Sequence, residues 1–200
     1  MMEATAAAGT PPPAPRQGLG NLFRQLLDYL DDEKLREQVR ERVSPDTRRL
    51  FDAPPRALAF MPSTAIDDLE TALGEVAGTD ALVDCGLQTA RALGGTLILP
   101  AIRAAFYLFG ESPASIFANL DRFFSLVTRG IAFSWKEEGP SAGNIEVRFA
   151  GPDTPHAAFH VLRGTLQFVY EISATRGEVD PPEVVEEGRS GSVVRFRARW

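Results

Sequence analysis

The chain has 200 residues, 44% apolar and 24% charged, with a net charge of −6, the composition of an ordinary globular domain able to bury a sizeable core. Its one cysteine, Cys85, excludes an intrachain disulfide and a cysteine-based zinc site, and suits a cytoplasmic location. The acidic balance argues against a general nucleic-acid binder, which needs a basic face to neutralise phosphates.

Residues 1–19 are rich in Ala, Thr and Pro and read as a disordered, partly polyproline-II arm. The run Ala4–Ala8 is cut short by Gly9-Thr10 and Pro11-Pro12-Pro13, so no secretory leader is expected. Residues 20–200 read as a single α+β domain. From Asn21 the apolar residues Leu22, Phe23, Leu26, Leu27, Leu30 and Leu35 recur near a 3.6 period, predicting a helix that runs toward Val43, with Asp31-Asp32 as the place for a break and recap. Ser44-Pro45-Asp46 recaps a short helix over 47–51, and Pro54-Pro55 ends it. Pro62-Ser63-Thr64 opens a helix through Ile66, Leu69, Leu73 and Val76 that Gly78 closes, and Thr79-Asp80 caps the next, through Leu82, Val83, Leu87 and Leu93.

Residues 96–109 are apolar almost all round, predicting a helix buried on most sides. Arg103 and the short length exclude a membrane span. Ser112-Pro113 starts a helix over 113–129 with Ile116, Phe117, Leu120, Phe123, Phe124 and Val127 on one face. After Gly130 the period becomes 2: Ile131, Phe133 and Trp135, then Ile145, Val147 and Phe149, predict an antiparallel hairpin. A helix over 155–175 follows, and residues 183–200 read as a second hairpin. An N-terminal helical layer followed by β-β-α-β-β predicts a four-stranded antiparallel sheet.

His156 and His160, the two histidines, share a helical face with Asp153 nearby, but the HExxH pattern is absent and a structural or surface role is preferred. Cys85 sits mid-helix, beyond the first turn that would activate a thiol, and reads as core. No nucleophile elbow, dinucleotide fingerprint or phosphate loop is present. The carboxylates Asp31-Asp32-Glu33 and Asp67-Asp68-Glu70 stand at or near helix starts and read as solvated caps. The aromatics are first of all core, and Phe106, Phe123, Phe124 and Trp135 could also line an apolar pocket between helices and sheet. Arg195, Arg197 and Arg199 alternate on the last strand, and with Leu99, Ile102 and Arg103 are candidate interface residues. Lysine occurs only at Lys34 and Lys136, which reflects either genome composition or a use of arginine for planar contacts.

Gly20-Asn21-Leu22-Phe23, Phe60-Met61-Pro62, Gly110-Glu111-Ser112-Pro113, Gly130, Arg163-Gly164-Thr165-Leu166 and Phe196-Arg197-Ala198-Arg199-Trp200 together resemble a paralogous family of about this length expanded in myxobacteria. More distantly, the order of elements resembles the superfamily of vinyl-four-reductase domains, TRAPP subunits of the Bet-three type and haem nitric-oxide/oxygen sensors. That resemblance implies a small-molecule-sensing or protein-interaction module, often dimeric. The haem sensors carry a Tyr-x-Ser-x-Arg motif and a histidine before the sheet. Here Tyr170, Ser173 and Arg176 have one extra residue in each gap, and no histidine precedes His156. The expectation is therefore a non-catalytic cytoplasmic signalling or regulatory module without cofactor or metal. It would bind a protein partner of unknown identity, itself included, but neither nucleic acid nor membrane. The alternative is a sensor of a small apolar ligand.

Overall fold

A computed structural model describes residues 15–94 and 112–200. The arm expected through residue 19 gives way earlier: Gln17–Leu19 forms strand β1, and Arg16 is buried by pairing with Asp67. Helices α1 (Gly20–Asp32), α2 (Arg36–Arg42) and α3 (Pro45–Asp52) follow, then β2 (Phe60–Pro62). Ser44 caps α3 through its side chain, accepting from the Thr47 N–H, with Pro45 at the first helical position.

Helix α4 (Thr64–Leu93) is two helices meeting at Gly78, whose φ of 81° and ψ of −176° are non-helical. Only glycine takes such a backbone readily. A straight helix would hold residues 19 apart at roughly 28 Å. Instead Glu70 and Thr89, on opposite sides of Gly78, line one small cavity, so the glycine folds the two halves toward each other.

The helix expected over 96–109 lies outside the described residues, as do Leu99, Ile102, Arg103 and Phe106. The single helix expected over 113–129 is replaced by two five-residue helices, α5 (Pro113–Phe117) and α6 (Leu120–Phe124), and by strand β3 (Thr128–Arg129). Between them the Asn119 amide donates to the Ser115 carbonyl and Ser125 Oγ to that of Arg122, side-chain bonds that compete with a continuous helix. β1 is the middle strand of a small sheet with β2 and β3.

The large antiparallel sheet contains β4 (Ile131–Gly139), β5 (Ala142–Ala150), β7 (Glu183–Gly188) and β8 (Gly191–Arg199), with helix α7 (His156–Ile172) between its hairpins. The expected α+β order is observed; β6 (Glu178–Val179) pairs with β8 and makes the sheet five-stranded. Ile145, Val147, Phe149, Val194, Phe196 and Ala198 are buried on one face and pack on Phe159, Leu162, Leu166 and Val169 of α7. A second core joins α1 to α4, with Val161 of α7 reaching into it. α7 and α4 cross at glycines: a Cβ on Gly164 would lie 1.8 Å from the Val83 carbonyl oxygen, and one on Gly86 1.9 Å from that of Val161. Backbone therefore packs on backbone, and the residues following this crossing, Thr89 and Thr165, are drawn to the boundary between the cores.

Candidate functional site

At that boundary lie two adjoining cavities of about 110 and about 100 Å³. Leu22, Thr89, Phe124, Thr128 and Thr165 line both, so they are two lobes of one space. The walls of the first come from α1 (Leu26), α4 (Ile66), the sheet (Phe149) and α7 (Val161, Leu162). The second is walled by Ala90, Leu93, Leu120, Phe123, Val127 and Phe168, among others. Burial of such apolar side chains holds the walls together at roughly 25 cal/mol per Å² of apolar surface.

The charged groups stand in the first lobe. Arg16 makes a two-pronged pair with Asp67, at 3.1 and 2.7 Å, and its guanidinium lies 5.8 Å from the Phe149 ring centroid. Ser63 Oγ donates to the same carboxylate at 3.1 Å. Glu70, one turn on, is 6% exposed and lines the lobe. No hydrogen bond reaches its carboxyl among the described residues. Burial, and next the Asp67 carboxylate, push its pKa up to about 8 against the pull of Arg16, so it carries its proton at neutral pH. Thr89 Oγ1 is buried without a well-formed hydrogen bond, with the Cys85 thiol one turn earlier beside it. Burial pushes that thiol far above its ordinary range, which keeps it unreactive. Thr165 and Thr128 donate their hydroxyls to main-chain carbonyls and so face the space with spare acceptor capacity.

Of the aromatics picked out in the sequence, Phe123 and Phe124 line the cavity. Trp135 lines neither lobe; it stacks on Phe117 at 5.1 Å and lies 6.0 Å from Trp200. Arg195, Arg197 and Arg199 share the outer sheet face as expected, where each meets a carboxylate: Glu183 at 3.5 Å, Glu138 at 3.5 Å and Asp180. His156 is exposed and 3.8 Å from Glu187, and His160, half-buried beside Arg163, has a pKa lowered first by burial. Among the described residues no group of three or more His, Cys, Asp or Glu could hold a metal ion, and no helix is long and apolar enough to cross a membrane.

Sequence reasoning missed Arg16, which it placed in the arm, and Glu70, which it read as a solvated cap. The signal for Glu70 was present: it falls four residues after Ile66 and three before Leu73, inside the apolar stripe of its helix. A carboxylate within such a stripe is either paired or neutral.

No protein-family model matches the chain, and no curated protein matches it by sequence. Solved structures do match it in shape. An H-NOX protein from K. algicida, in its Fe(II) unliganded state, superposes with a TM-score of 0.66 at 14% identity, over 90% of this chain and 95% of that one. An oxygen-binding H-NOX domain related to soluble guanylate cyclases gives 0.59 at 14% identity, over 90% and 93% of the two chains. At this identity the likeness concerns architecture alone, and the architecture of the chain is that of the H-NOX domains.

Proposed function

We propose that the protein is a sensor domain, without catalytic activity of its own, that binds a small, mostly apolar ligand in the two-lobed cavity between its helices and its sheet. The observation that carries this is the cavity itself. Its walls are mostly apolar, its charged side chains line one lobe only, and it lies where the two cores meet. A molecule seated there touches both cores at once, so its binding free energy can bias how the helices pack on the sheet. The shared fold supports this, since the neighbours include an oxygen-binding domain.

A neighbouring structure concerns heme redox potential, but the described residues do not fit a haem. The described lining residues offer iron no imidazole, thiolate or phenolate. Both histidines belong to the start of α7 and line neither lobe, and Tyr170 commits its hydroxyl to the Glu178 carbonyl. The two lobes, of about 110 and about 100 Å³, together make a space on the scale of the roughly 150 Å³ cavity that admits benzene, which suits a small ring and not a porphyrin.

Titration of the labelled protein with cyclopentane, followed by amide shifts, tests the reading. The expected result is a saturable change at Leu22, Phe124 and Thr165; absence of any change at lining residues with cyclopentane and with its polar analogues alike would overturn it. A second reading, self-association, rests on β7, which is exposed along its whole length and carries Val184 and Val185 on a strand that pairs only with β8 among the described residues. Sedimentation at micromolar concentration decides it: a strict monomer removes it.

A further inference from the structure

The polar lobe specifies more than size. Two groups on α4 reach the cavity with hydrogen-bonding capacity to spare: the Glu70 carboxyl, which no described side chain meets, and the Thr89 hydroxyl, whose neighbour is the weakly accepting Cys85 sulfur. They come from the two halves of the helix that Gly78 folds together. An unmet buried polar group is costly and is seldom kept without a partner. The charge around them is already balanced, because Arg16 and Asp67 neutralise each other through two hydrogen bonds.

We infer that the ligand is an uncharged molecule with an apolar body and one hydrogen-bond-accepting head, a carbonyl or hydroxyl oxygen, which the Glu70 and Thr89 side chains bind at the polar end of the cavity. A carboxylic acid and an alcohol both donate, and a carbonyl oxygen has the two lone pairs to accept from both. An anionic head is disfavoured by Asp67 and by desolvation in an apolar space. An ammonium head would need Glu70 ionised, which burial and Asp67 both oppose. The remaining charged or titratable neighbours are Arg16, which favours ionisation, and Cys85, whose thiol stays neutral. α7 presents Thr165, Val161 and Leu162 to the lobe, and α1 presents Leu22 and Leu26; none of these titrates.

This inference rests on the sensor reading, and three rings of one shape separate the two. Cyclopentane, cyclopentanone and cyclopentylammonium are titrated into the full chain at pH 6.5 with amide shifts as the readout. Cyclopentanone is expected to bind roughly tenfold more tightly than cyclopentane, the worth of one good hydrogen bond. Glu70→Leu is expected to bring the two to within about twofold, while Glu70→Gln, which keeps a donor, retains most of the preference. Raising the pH beyond 9 ionises the carboxyl and is expected to remove the preference in the unaltered protein, a control that needs no variant to fold. If no ring binds, the sensor reading itself fails. If cyclopentane binds as well as cyclopentanone, the cavity binds ligands but the polar head is wrong. If the ammonium binds best, the site is a carboxylate for cations and the inference is overturned.

Discussion

Replacing Glu70 by glutamine should make the protein more stable, and more so as the pH rises. The carboxyl is 6% exposed and its pKa stands at about 8 instead of the ordinary 4.5. Below 4.5 the folded and unfolded chains both hold the proton, and Glu70 is neutral in each. Between 4.5 and 8 the folded chain keeps a proton that the unfolded chain has released, so stability falls with pH and stops falling above 8. Each unit is worth about 1.36 kcal/mol, so Glu70 costs about 3 kcal/mol at pH 7 and at most about 5 kcal/mol above pH 8. Glutamine has nearly the shape of the neutral acid and nothing to ionise. Denaturant unfolding of both proteins at pH 5, 7 and 9 therefore isolates Glu70 together with its coupling to Asp67 and Arg16, because titrating residues that do not interact with it cancel in the difference. The expected advantage of Glu70→Gln is about 1 kcal/mol or less at pH 5, growing through pH 7 and levelling off. A constant difference across the range would refute the claim that this carboxyl is protonated in the folded chain. A buried acid that lowers stability at neutral pH is the pattern of a residue retained for a site.

Asp67→Asn leaves the buried Arg16 without its counter-charge and should cost about 3–5 kcal/mol. By removing the neighbouring carboxylate it should also lower the pKa of Glu70, so the pH-dependent part of the Glu70→Gln difference shrinks in that background, read by the same unfolding series. Gly164→Ala pushes a methyl against the Val83 carbonyl, where helix meets helix and no side chain can yield. A loss of about 1–3 kcal/mol is expected, a fall in melting temperature of about 2–12 °C, and an unchanged melt would refute the close crossing. Gly78→Ala must hold a positive φ with an extended ψ, a backbone essentially reserved to glycine, at a position with open space around its Cβ, so backbone strain alone acts and about 1–3 kcal/mol should be lost in the same denaturation series. Arg199→Ala removes an ion pair between side chains 52% and 28% exposed and should change stability by less than about 1 kcal/mol in chemical denaturation.

The parts of this fold legible in the sequence are those governed by periodicity and punctuation. The alternation at Ile145, Val147 and Phe149 and at Val194, Phe196 and Ala198 placed the inner face of the sheet, and Gly78 and Ser44-Pro45 marked real helix boundaries. Where Phe123, Phe124 and Val127 share one stripe, the same rule predicted a helix through residue 129, but Thr128 and Arg129 pair with β1. That pairing partner is more than a hundred residues away, and no local pattern announces it.

The polar end of the cavity was hidden for a related reason. Arg16, Asp67, Glu70 and Thr89 acquire their roles only when the chain brings residue 16 to residue 67 and folds α4 back at Gly78. Each has an innocent local explanation: a tail arginine, a helix-start aspartate, a helix-start glutamate and a mid-helix threonine. The glutamate alone contradicts its surroundings, since its place in the Ile66–Leu73 stripe commits it to burial without naming a counter-charge. Such a contradiction is a better pointer to a site than the aromatic residues were. Phe123 and Phe124 line the cavity, but Trp135 is as aromatic and stacks on Phe117 away from either lobe. Apolar side chains are buried whether or not a ligand exists, whereas a buried, protonated carboxyl with no partner among the described residues costs stability until something accepts a hydrogen bond from it.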